Sequence, residues 1–107
     1  MSVEKIESAP HRLDHAWGHL TRAEMGMASG NFLRAMEDLN EALGLEPQFT
    51  EALITRGYLR FLQKDLRGSL RDMNAANEIS GEKMEIISYL EKIHQRVSAP
   101  SEMLSSK

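Results

Sequence analysis

The chain has 107 residues, 41% hydrophobic and 27% charged, which suits one domain built around a single core. Thirteen basic and sixteen acidic residues leave a net charge of −3 with the signs interspersed, so there is no basic stripe to neutralise a phosphate backbone, and nucleic acid is excluded as the expected partner. No apolar run approaches a membrane span, the segment from Met1 to Glu7 is polar where a secretion signal needs an apolar stretch, and the absence of cysteine excludes disulfides, thiolate ligands and a thiol nucleophile. A cytoplasmic protein with no membrane or cofactor dependence is the expectation.

Apolar residues recur at helical spacing along the chain, and turn-forming residues punctuate it at Pro10, Gly30-Asn31, Glu46-Pro47, Lys64-Asp65 and Ser80-Gly81. This pattern predicts five helices, near 11–29, 32–45, 49–63, 66–79 and 83–98, and no strand. The flanks 1–10 and 99–107 are rich in Ser, Glu and Lys, with Pro100 closing the last helix, and are expected to be flexible.

Compared with itself at an offset of 34 residues, the chain repeats. Thr21-Arg22 returns as Thr55-Arg56, Asp38-Leu39-Asn40 as Asp72-Met73-Asn74, and Ala42 as Ala76. Ala23, Phe32, Ala35 and Leu45 return as the similar Gly57, Leu66, Ser69 and Ile79. Small residues at Ala23, Ala35, Gly57 and Ser69 are the expected close crossings of two antiparallel helices. Leu39, Leu45, Met73 and Ile79 are expected to fill the space between layers. Arg22 with Asp38, and Arg56 with Asp72, are expected to tie each helix pair together as semi-exposed ion pairs.

The stretch from Ala16 to Gly81 resembles two tetratricopeptide repeats, carried by Arg22-Ala23, Ala35, Asp38, Asn40 and Ala42 in the first and by Arg56-Gly57, Ser69, Asp72, Asn74 and Ala76 in the second. The resemblance implies an all-α fold of antiparallel helix-turn-helix repeats stacked as a short right-handed solenoid. Repeat one is placed at about 16–49, repeat two at about 50–83 and a capping helix at about 84–98, within a domain spanning 11–98. In the same register Glu91 falls where Ala23 and Gly57 stood, leaving no close seat for a sixth helix. Ile86, Ile87, Leu90, Ile93 and Val97 are expected to cover the end of repeat two.

The resemblance also implies a concave groove lined by the first helices. Its positions fall on Trp17, Leu20, Glu24, Met27 and Ala28, then Glu51, Ile54, Tyr58, Phe61 and Leu62, then Glu85, Ser88, Lys92, Gln95 and Arg96. Trp17, Leu20, Glu24, Met27, Ile54, Tyr58, Phe61 and Lys92 are the candidate partner-binding residues, with Trp17, Met27, Tyr58 and Phe61 its apolar centre. Tetratricopeptide domains that grip acidic chaperone tails use a clamp of Lys, Asn and Arg. Here those seats hold Leu20, Glu24, Tyr58, Ser88 and Lys92, so an acidic tail is disfavoured.

His11, His15 and His19 share one helical face at a spacing known from zinc and nickel sites, but at about 6 Å of rise between successive residues they do not converge easily on one ion, and an exposed polar stripe is the plainer reading. There is no glycine-rich phosphate loop and no nucleophile motif, so no catalytic residue is expected. The implied function is a protein-protein interaction module, a scaffold, adaptor or chaperone-like unit that binds a peptide or helix of another protein. The alternative is a self-assembling structural protein whose concave face is buried in a homo-oligomer.

Overall fold

The computed structural model describes residues 2–81, 86–88 and 90–96, with side chains from residue 12 onward. Four helices are bounded within it: α1 (Ser2–Ala28), α2 (Phe32–Leu45), α3 (Thr50–Leu62) and α4 (Leu66–Ser80). Residues 86–88 and 90–96 form the fifth, α5. Helix α1 corrects the expected start at 11, since the backbone of 2–10 continues the helix. Pro10 removes one backbone donor, but Glu4, Lys5, Glu7 and Ala9 around it are good or fair helix formers. The tail 99–107, Val97 and Glu85 lie outside the described residues.

The two turns within the helix pairs, after α1 and after α3, share one hydrogen-bond pattern. After α1, Asn31 N–H donates to the Gly26 carbonyl at 2.7 Å and Gly30 N–H to that of Met27 at 3.2 Å. After α3, Asp65 donates to Arg60 at 2.8 Å and Lys64 to Phe61 at 3.0 Å. These are the paired bonds of a Schellman ending, which needs a left-handed residue at its pivot. Gly30 (φ 83°) and Lys64 (φ 67°) fill that place. The next residue in each turn then caps the following helix: the Asn31 side chain accepts from Arg34 N–H and the Asp65 side chain from Gly68 N–H.

Helix α1 packs against α2, α3 against α4, and α2 against α3, giving adjacent antiparallel pairs in a row. The expected small crossings are fully buried at Ala23 and Ala35. In repeat two, a Cβ built on Gly57 would stand 3.1 Å from the Met73 Cε and 3.3 Å from the Asp72 Cβ, so glycine sets how closely α3 and α4 approach. Ser69 Oγ donates to the Gly57 carbonyl at 2.6 Å across that crossing. Leu39, Ala42, Met73 and Ala76 are buried, and Leu45 packs partly against the same core. Ile79 departs from expectation at 41% exposed. It lies in the last turn of α4, beyond Met73 and Ala76, so interlayer packing stops one turn before the helix ends.

Helix α5 places Ile86 and Ile93 fully buried in the common core and Leu90 packed on it. Glu91 is exposed.

Candidate partner-binding groove

The polar ties come first, because they hold the first helices in place. Arg22 Nε lies 3.2 Å from both Asp38 carboxylate oxygens and its Nη2 3.0 Å from Oδ1. Arg56 makes the tighter side-on fork, with Nε to Asp72 Oδ2 at 2.9 Å and Nη2 to Oδ1 at 2.8 Å. Both aspartates are only 4% exposed, but Arg22 is 56% exposed, so that pair is the semi-exposed tie expected, whereas Arg56, at 20%, makes the more deeply seated one. Each carboxylate has a second partner: His19 Nδ1 lies 3.1 Å from Asp38 Oδ1, and Arg60 Nη1 donates to Asp72 Oδ2 at 3.0 Å. The Arg22 hydrogen bond pulls the Asp38 carboxyl below the usual range, with a smaller contribution from His19, against the opposing effect of burial. Arg56 Nη1 also donates to Asn40 Oδ1 at 2.8 Å, joining repeat two to repeat one.

Neither second partner follows from repeat equivalence. Gly26 stands in repeat one where Arg60 stands in repeat two, and Leu53 stands where His19 does. The Asn40 tie is not repeated from Asn74 either, because Leu90 occupies the next arginine's place.

Between the first helices lies an open cleft of about 230 Å³ lined by Glu24, Met27, Ile54, Thr55 and Tyr58. Four of these five were candidates from sequence. Thr55 was not. Its Oγ1 donates to the Glu51 carbonyl at 2.8 Å, which leaves the hydroxyl lone pairs as acceptors. Leu20 is corrected: at 2% exposed it belongs to the core between α1 and its neighbours and presents no surface to a ligand. Trp17 is 47% exposed and sits edge-on to Phe49, with ring centroids 4.7 Å apart and planes at 65°. Phe61 is half-buried, and the Arg96 guanidinium lies 5.1 Å from its ring centroid, so α5 covers part of an aromatic face expected to be open. Lys92 is exposed on α5. The eight candidates therefore divide into a cleft, a Trp17–Phe49 edge, a Phe61–Arg96 stack, an exposed lysine and one core leucine. Phe49 was legible as an aromatic just before α3, but its contact to Trp17 crosses two elements.

Among the described residues no three His, Cys, Asp or Glu side chains could together hold a metal ion, and no helix is long and apolar enough to cross a membrane. Of the histidine series, His19 bonds to Asp38, His15 is exposed, and the His11 side chain lies outside the described residues.

Paired antiparallel helices repeated through equivalent Schellman turns, with small residues at each crossing, match a solved structure of the first tetratricopeptide domain of Spaghetti (RPAP3) bound to the HSP90 peptide SRMEEVD. The TM-score is 0.71 and the identity 28%, over 75% of this chain. The fold is that of the tetratricopeptide repeat. The chain spans 64% of the length of that neighbour. No family model matches the sequence, and no curated protein matches it.

Proposed function

We propose that this tetratricopeptide domain is a non-enzymatic protein-interaction module that binds a peptide or helix of another protein along its concave face. The observation that carries the reading is the open cleft between α1 and α3, where Met27, Ile54 and Tyr58 present apolar surface beside the exposed Glu24. The similar domain that holds an HSP90 peptide supports a peptide as the class of partner. Trp17, Phe61 and Lys92 extend the binding face on either side, and the cytoplasm is the proposed setting.

The test is affinity capture with the wild type and with a Tyr58→Ala, Phe61→Ala double variant whose helicity and melting have been checked. A protein retained by the wild type and lost by a folded double variant supports the groove. Equal capture by both places binding elsewhere and sinks this reading. Light scattering addresses the self-assembling alternative: a dimer that the same substitutions dissociate would assign the face to a homo-oligomer.

A further inference from the structure

We propose, on the basis of that interaction reading, that the cleft between α1 and α3 receives an arginine side chain of the partner segment. The cleft's walls supply what that side chain needs and little that an acidic one could use. Its one charged lining residue among those described is Glu24, an exposed carboxylate. Thr55 adds acceptor lone pairs, because its own proton is engaged with the Glu51 carbonyl. Met27 and Ile54 offer apolar surface to a three-carbon stem, and Tyr58 offers an aromatic ring to a planar cation. A guanidinium uses all of these at once, forking to a carboxylate while stacking on a ring. The same pairing already occurs further along this face, where Arg96 stands over Phe61.

Size agrees with the chemistry. At about 230 Å³ the cleft is smaller than the roughly 300 to 1,000 Å³ typical of small-molecule pockets and suits one long side chain delivered by a peptide. An acidic segment without a basic residue would bring its carboxylates against Glu24, a like-charge contact with no cation among the cleft's described lining residues to offset it.

The experiment uses the full chain and three probes: an acetylated, amidated pentapeptide with arginine between two leucines, the same peptide with glutamine for arginine, and the same peptide with glutamate for arginine. Binding is followed by NMR through the methyl signals of Met27 and Ile54 and the ring signals of Tyr58. The arginine peptide is expected to shift these signals, to bind about tenfold more tightly than its glutamine counterpart, and to weaken with added salt. Glu24→Gln, a change at an exposed position, is expected to remove that tenfold preference while leaving the melting temperature unchanged.

The inference is overturned if the glutamate peptide shifts the cleft signals as strongly as the arginine peptide, or if Glu24→Gln keeps the preference. It is also overturned if neither peptide reaches the cleft, or if light scattering shows a dimer that shields it. Should these peptides fail while the Tyr58→Ala, Phe61→Ala variant still loses a captured partner, the arginine assignment falls and the interaction module stands. If the variant also loses nothing, both fall.

Discussion

Asp38 and Asp72 occupy equivalent places on the two second helices, and each is a buried carboxylate held by a first-helix arginine. Removing Asp72 would leave Arg56 and Arg60, both about four-fifths buried, with only the longer 3.8 Å contact from Arg60 to Asp65 as a counter-charge. Asp72→Ala is therefore expected to destabilise the fold by about 3 kcal/mol, read from urea unfolding. Arg22→Ala should cost less, because that arginine is 56% exposed and His19 remains beside Asp38. The Asp38 carboxyl has its folded pKa depressed below the ordinary 3.8. Its contribution is present above the unfolded value and is lost as pH falls from about 3.8 through the lower folded value. Thermal melts across that acid range should show the wild type losing more stability than Asp38→Asn.

Helix endings carry the repeat more faithfully than helix surfaces do. Both turns place a left-handed residue at the Schellman pivot and a side-chain cap directly after it, but repeat two uses a lysine where repeat one uses glycine. A β-carbon in that conformation costs about 1–2 kcal/mol, partly offset by the greater freedom that glycine gives the unfolded chain. Lys64→Gly is expected to stabilise the protein by about 0.5–1 kcal/mol, measured by the same unfolding curves. Gly30→Ala should act in the opposite direction. The bond from Arg56 to Asn40 is the element-scale contact that fixes α3 on α2.

Across the molecule, α5 joins the common core. Ile86 and Ile93 close the core of repeat two while Glu91 faces away from it. Truncating Ile93→Ala should cost about 2–4 kcal/mol through lost burial and the cavity left behind, and should lower the melting temperature without changing helical content at room temperature. A smaller effect would mean that α5 contributes little to the common core. Helix α5 also bears on the proposed binding face, because Arg96 lies over the Phe61 ring while the open cleft is lined from α1 and α3.

Sequence alone determined the helices and their pairing, because each rests on local or periodic chemistry: turn residues at the breaks and small residues at the crossings. The arginine–aspartate pairs were legible for the same reason, since both copies keep both partners. Tertiary structure decided which groove candidates share a surface. Leu20 and Met27 lie seven residues apart on one helix, yet one fills the core and the other lines the cleft, because neighbouring helices cover α1 unevenly along its length. His19 with Asp38, Arg60 with Asp72, and Trp17 with Phe49 also emerged only there. Each such contact joins positions that the repeat does not make equivalent, so no periodicity could announce it.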